Sequence, residues 1–461
     1  MSEVQNKFLQ DSEKKAFDLA HRATIKKNIS QYEKNFNKGK LQYKNLDLAK
    51  KRVASAKFKA INELDKYLAE FEANFTARGG KIIWAPTAED AITEIIALLR
   101  KYDAKTVVKS KSMITEELEL NEHLEEAGME VLETDLGEFI VQVAHEKPYH
   151  IITPVMHKSK EDVAALFNEK FGTDANATPE QITAFVRKLL RNKFTAADVG
   201  ITGANFIIAD IGGIALTENE GNALMSISFP QIHIAIAGID KMIPSVKDLD
   251  NIWPLLATHG TGQRVTVYNS IITGPRQEYE TEGPSEMYVV IVDNGRSELL
   301  RHTEQRRAAT CIRCGACLNF CPIYKNIGGH AYRTTYSGPI GSVITPHLRG
   351  MAEYKHLSFS SSLCGRCTEV CPVSIPLHEL LLYNRRDSVK RGYSAGIDKF
   401  IQYVFKKVFL SRKLMDFGNV KLKNFALNKV VSKYWGPRRD LPVLKPKSFN
   451  KLWKEQRGME G

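Results

Sequence analysis

Seven cysteines are confined to residues 311–371, and their spacing limits the chemistry they can do. The first group reads Cys311-Ile-Arg-Cys314-Gly-Ala-Cys317-Leu-Asn-Phe-Cys321-Pro322, a C-x2-C-x2-C-x3-C-P pattern. Three thiolates at two-residue gaps can wrap three corners of a cubane iron–sulfur cluster, while the fourth turns away to a second cluster. Pro322 fixes φ and lacks an N–H, which suits a chain leaving such a site. The second group reads Cys364-Gly-Arg-Cys367-Thr-Glu-Val-Cys371-Pro372. Aligned on its Cys-Pro end, a complete repeat would carry a cysteine at 361, where this chain has Ser361.

The spacing therefore predicts a crossed assignment. Cys311, Cys314, Cys317 and Cys371 hold one [4Fe–4S] cluster, and Cys321, Cys364 and Cys367 hold a second with only three thiolates. That second site suits [3Fe–4S], or [4Fe–4S] with a non-cysteine ligand, for which Ser361 and His356 are the nearest candidates in sequence. Zinc is the competing reading of C-x2-C pairs, but it leaves three thiolates unused and does not suit the compact run ending in proline. An odd cysteine count excludes complete disulfide pairing, and disulfides would staple distant segments rather than gather thiols locally. Arg306, Arg307, Arg313, Arg333, Arg349 and Arg366 lie near the cysteines in sequence. Positive charge there would favour a reduced cluster and raise its potential. Solvated surface arginines and a partner-docking face are the other two readings.

The elements that must hold this segment are legible as patterns. Residues 1–75 are polar and charged with helical spacing, and Leu64, Leu68 and Phe71 share one face, predicting a helical lead-in. From 76 to 298 short β-rich runs alternate with helical patterns. KIIWA (81–85), TVVKS (106–110) and EVLET (130–134) read as strands, with helices over 88–102 and 114–128 between them. YHIITP (149–154) precedes two further helical stretches, EDVAALFNEKF and PEQITAFVRKLLRNKF. NFIIADIG, GIALTEN, IHIAIAG and MYVVIVD are strand candidates. The alternation predicts an α/β domain with a mainly parallel sheet, the later strands partly antiparallel. A mainly helical cysteine domain covers 299–388, and LHELLLYNRRDSVKR follows its last cysteine as a helix.

Composition sets outer bounds. Across 461 residues, 43% hydrophobic and 26% charged content is that of a soluble globular chain with room for two or three domains. No apolar run is long enough to span a bilayer, and no secretory signal opens the chain, so a cytoplasmic location is expected. The net charge of +12 is concentrated: residues 401–461 hold 15 Lys/Arg against 4 Asp/Glu, a net of +11. This basic extension, 389–461, includes KFIQYVFKKVFLSRKLMDF, where Phe400, Val404, Val408 and Phe409 fall as a helical stripe. It reads as a face for the cluster domain or a partner subunit, or as a peripheral contact with an anionic membrane on the inner face. No recognition motif supports nucleic acid.

The stretch from Gly200 to Asn222, GITGANFIIADIGGIALTENEGN, followed by FPQIHIAI (229–236), resembles the LUD (lactate utilisation) domain. With the paired cysteine motifs, among them SSLCGRCTEVCP, and the basic extension, the order over roughly 60–450 resembles the lactate utilisation protein B family. That family also lacks a cysteine at the position of Ser361. The resemblance implies a sugar-isomerase/CoA-transferase-like α/β fold. It implies partners as well: a cysteine-rich redox subunit and a second LUD-domain protein. The implied role is that of an electron-transfer subunit in an oxidoreductase complex taking L-lactate to pyruvate. Two alternatives stand beside it: a LUD domain that itself transforms a small organic acid, and a redox-sensing regulator. No catalytic residue is assigned. Thr202, Asp210, Glu218, Glu220, Asn222 and His233 lie at or beside apolar runs, as in a ligand cleft, although turn chemistry at Gly212-Gly213 and Glu220-Gly221-Asn222 also accounts for several of them. His233 reads as a core histidine. THGTGQR (258–264) lacks a P-loop ending, and no G-x-G-x-x-G follows a strand, so no nucleotide or flavin site is expected.

Overall fold

Helices come first. A computed structural model describes residues 2–394, 396–431 and 440–458. Residues 395, 432–439 and 459–461 of the basic extension lie outside the described part. The lead-in forms α1 (Glu3–Ala16), α2 (Leu19–Gly39), α3 (Leu46–Asn62) and α4 (Leu64–Thr76). Ser2, Asp18 and Asn45 cap the first three by accepting from backbone N–H groups. Leu64 and Phe71 are buried, and Leu68 is partly so. These helices share their core with the cysteine segment: Phe8, Ile25, Ile29 and Val53 pack in one cluster with Cys314, Cys317, Tyr324 and Tyr332.

A six-stranded sheet follows, built from β1 (Lys81–Ala85), β2 (Thr106–Lys109), β3 (Glu130–Glu133), β4 (Val199–Gly203), β7 (Ile232–Gly238) and β10 (Glu286–Val292). Its order is β1-β10-β7-β4-β2-β3, and every pairing is parallel. Central strands of such a sheet are covered on both faces and so read as unbroken apolar runs. All seven residues of β7, IHIAIAG, are buried. A second sheet has the order β8-β5-β6-β9, from β5 (Phe206–Ile208), β6 (Gly213–Glu218), β8 (Met242–Ile243) and β9 (Tyr268–Ile272). The pairs β5–β6 and β6–β9 are antiparallel. The expected antiparallel character therefore belongs to the second sheet, whereas β7 and β10 are parallel members of the first.

One helix differs from expectation. The stretch 114–128 is not one helix but α5 (Met113–Glu117) and α6 (Leu120–Glu126), because Glu119 takes a left-handed conformation at φ 50°. The segment YHIITP (149–154) forms a bend. Strands β4, β8 and β9 escape the sequence patterns because they are short or mixed with Gly, Thr and Asn.

The cysteine segment is a series of short helices, among them α7 (Ala316–Asn319), α8 (Pro322–Ile327), α9 (Gly338–Leu348), α10 (Arg366–Glu369) and α11 (Leu377–Lys390). It forms one unit with everything before it, residues 1–390, and residues 391–461 form a second. Within that second unit α12 (Gly396–Phe409) leaves Phe400, Val404 and Phe409 exposed. Among the described residues no helix is long and apolar enough to cross a membrane.

Candidate metal centre and adjoining cavity

The two cysteine motifs share one backbone path. In the first, Arg313 is left-handed at φ 58°, Cys314 follows, and Gly315 at φ 73° starts α7, which carries Cys317. In the second, Leu363 is left-handed at φ 54°, Cys364 follows, and Gly365 at φ 78° starts α10, which carries Cys367. The match extends to the residue two places before each left-handed one. Arg313 N–H donates to Cys311 Sγ at 3.4 Å, and Leu363 N–H donates to Ser361 Oγ at 3.1 Å. Ser361 thus occupies the place that Cys311 holds in the first motif. His356 does not: its Nδ1 contacts Glu353 O at 2.9 Å and its ring packs on Phe8.

The thiols gather in a crossed pattern. Cys311, Cys314, Cys317 and Cys371 line one small pocket closed by Ile340, Val373, Ile375 and Leu377. Cys321 lies instead in the electrostatic neighbourhood of Cys364 and Cys367. Cys367 is close enough to perturb Cys317, so the two sets adjoin. None of the seven is in a disulfide, and Cys364 is the exposed one. Burial pushes the Cys314 and Cys317 thiols well up, Cys367 up to about 12 and Cys371 up to about 11. Thiols held so far above neutrality ionise only when a bound cation compensates the thiolate. Backbone N–H groups already aim at the sulfurs: Ile375 at Cys371 (3.4 Å), Ile340 at Cys317, and Ile323 and Tyr324 at Cys321. The donor set, its apolar enclosure and these N–H groups fit iron–sulfur clusters.

Of the six arginines near the cysteines in sequence, Arg313 is the one buried beside a thiol, and Cys311 raises its already high basicity after burial has opposed it. Arg366 pairs with Glu369 at 2.7 Å on the surface, and Arg307 stacks over Phe58.

Arg313 also reaches the α/β domain through a buried network. Its Nη2 donates to Asp240 Oδ2 at 3.1 Å, and its plane lies 4.5 Å over Tyr336. Asp240 accepts from Arg296 Nε at 2.7 Å, and Arg296 forks onto both oxygens of Glu117 at 2.9 and 2.7 Å. Tyr336 OH donates to Glu117 at 2.6 Å. Lys57 of α3 donates to the carbonyls of Asp240 and Met242 at 2.6 and 2.9 Å. A Cβ at Gly238, the last residue of β7, would collide with Arg296 Nε, so glycine lets the guanidinium pass the strand end. Burial alone would raise the Asp240 carboxyl, but Arg296 and Arg313 outweigh it and hold it far below the usual range.

Beside this network lies a cavity of about 360 Å3. It opens at the carboxyl ends of β2, β4 and β7, where open α/β sheets bind their ligands. Glu218, Glu220 and Asn222 line it, together with Lys111, Lys241, Arg296 and Arg313. The other sequence candidates do not. Thr202 and His233 are fully buried and bonded to each other at 2.8 Å, and burial pushes His233 down to about 3, so it is a neutral core histidine. Asp210 accepts from Val246 N–H at 3.0 Å. Lys111, Lys241, Arg296 and Asp240 escaped sequence reasoning, and Arg313 was marked only as a neighbour of the cysteines, because the lining comes from segments as far apart as Lys111 and Arg313. The signal present was a pair of charges, Asp240-Lys241, directly after the apolar run of β7.

Fold and site together define an α/β-domain protein that carries a two-set cysteine module for iron–sulfur clusters. Residues 68–292 match the LUD domain family, and 307–375 match the 4Fe-4S dicluster domain family. The chain is 43% identical over 412 residues to "Lactate utilization protein B" of Bacillus pumilus (strain SAFR-032), covering 87% of each chain. It is 43% identical over 408 residues to the proteins of that name from Bacillus cytotoxicus and Bacillus thuringiensis, covering 86% of each chain. The chain belongs to the lactate utilization protein B family. A crystal structure of a DUF162 family protein from Deinococcus radiodurans is also similar, at 14% identity and a TM-score of 0.28, covering 50% of this chain and 98% of that one.

Proposed function

We propose that this protein is an electron-transfer subunit in lactate utilization. The observation that carries the reading is the pocket in which Cys371 of the second motif joins Cys311, Cys314 and Cys317 of the first. On this reading those four thiolates hold one [4Fe–4S] cluster. Cys321, Cys364 and Cys367 would hold the second, either [3Fe–4S] or [4Fe–4S] with Ser361 as the candidate fourth ligand. Bound clusters supply one-electron transfer. The chain's own residues set the conditions for it. The apolar wall of Ile340, Val373, Ile375 and Leu377 excludes water from the inner site. The N–H groups of Ile340 and Ile375 and the Arg313 guanidinium favour the more negative, reduced state. The exposed edge at Cys364 supports an entry or exit point for electrons at a partner. The basic and aromatic α12 supports docking on an acidic partner subunit of the lactate-oxidising complex.

The crossed assignment is tested by two serine substitutions. Cys371→Ser is expected to remove the inner cluster and Cys364→Ser the outer, each lowering iron by about three to four atoms per chain while sparing the other cluster's EPR signal. If Cys371→Ser and Cys364→Ser abolish the same signal, the assignment is wrong. Zinc without inorganic sulfide in anaerobically purified protein overturns the whole reading.

A further inference from the structure

The cavity beside the network has two walls of opposite character. Toward the cysteine loop stand Lys241, Arg296 and Arg313, the first and last of them beside Cys311. Arg296 is saturated by Glu117 and Asp240. Arg313 gives Nη2 to Asp240, but its Nη1 is buried without an acceptor. The Lys241 ammonium makes neither an ion pair nor a hydrogen bond among the described residues, although it lines the cavity. Lys111 donates to the Ile152 carbonyl and lies beside Glu220 on the other side of the cavity. Three lining cations thus face two carboxylates, Glu117 and Asp240, and two of the donors are idle. An unmet buried donor and uncompensated buried charge are both unfavourable, and one oxyanion answers both. The far wall carries Asp135, Glu218 and Glu220. Glu218 is held by the N–H groups of Ala223 and Leu224 at 2.6 and 2.9 Å, whereas Glu220 accepts one longer bond, 3.2 Å, from Asn219 N–H and keeps capacity to meet a ligand. Such a wall accepts a hydroxyl or other polar group and repels a second negative charge.

We propose that this cavity binds a small monocarboxylate with a polar far end, its carboxylate on Arg313 and Lys241 and its other end toward Glu220 and Asn222. The class follows from the two walls: a dicarboxylate meets the acidic side, and an uncharged analogue leaves the cations unmet. The site lies one residue from the four-thiol pocket, since Arg313 lines both cavities and its own N–H bonds Cys311 Sγ. Binding does not depend on the proposed clusters, so its failure and theirs are distinguishable.

The test is calorimetric titration of the anaerobically purified full chain with L-lactate, lactamide, succinate and inorganic phosphate. L-lactate is expected to bind at least tenfold more tightly than the other three. Lys241→Met is expected to weaken L-lactate binding tenfold or more, and Lys241→Arg to restore most of it. Glu220→Gln is expected to raise succinate affinity, a gain that a misfolded variant cannot give. Equal binding of lactate and lactamide, tighter binding of phosphate, or no binding at all overturns the proposal. So does lactate binding that Lys241→Met and Glu220→Gln leave unchanged, because the cations would then serve only to offset charge at the cysteines.

Discussion

Replacing Ser361 with cysteine is expected to raise iron by about one atom per chain and, where the proposed second cluster is [3Fe–4S], to abolish its three-iron EPR signal in the oxidised protein. The expectation rests on the matched paths of the two motifs. Leu363 at φ 54° and Arg313 at φ 58° place their N–H groups on Ser361 Oγ and Cys311 Sγ respectively. A cysteine at 361 needs no backbone change and inherits a donor suited to a thiolate. A serine hydroxyl ionises far less readily than a thiol, so a corner at Ser361 would hold iron weakly. Ser361→Ala should leave the three-iron signal intact. Persistence of that signal in Ser361→Cys would show that residue 361 does not stand at the corner.

Asp240→Asn should be the most damaging single change outside the cysteines. The carboxylate is 3% exposed and holds Arg296 and Arg313 at once. Removing one partner of a buried pair leaves unmet charge, and the typical cost is about 3–5 kcal/mol. Breaking the surface pair Arg366–Glu369 should cost under about 1 kcal/mol. Urea unfolding followed by tryptophan fluorescence separates the two. The pH profile adds a sign. Because the folded carboxyl sits below its usual range, its contribution is complete above the unfolded value of about 4 and is lost as pH falls below that. Wild type should therefore lose stability on acidification below pH ~4 more steeply than Asp240→Asn. Equal acid slopes would mean that Asp240 is not the anchor described above.

The cysteine pattern was legible because cluster ligation is a local constraint: residues 311–321 and 364–371 carry their ligand spacing in the chain itself. Five of the six strands of the parallel sheet, all but β4, were legible as strands for a related reason, since burial on both faces leaves runs such as IHIAIAG with no polar break. The cavity was only half legible. Glu218, Glu220 and Asn222 sit in one turn and could be seen together, whereas Lys111, Lys241, Arg296 and Arg313 meet only through the sheet and the domain contact. Sequence alone also could not say that Thr202 and His233 satisfy each other, because β4 and β7 become neighbours only in the sheet.

The lead-in helices have a consequence for synthesis. Phe8 packs on Tyr332, Tyr32 and Phe36 pack on Phe320, and Tyr32 OH donates to His259 O at 2.6 Å. These helices leave the ribosome ahead of partners about 300 residues downstream and wait for them. At roughly 5–20 residues per second that wait is on the order of 15–60 s. During it the apolar faces of α1 and α2 have no native cover, and the cysteine segment emerges before their joint core can close. Metal loading and the final closure of the N-terminal helices thus fall in the same late window, and a nascent chain stalled before residue 332 should remain open to protease at α1.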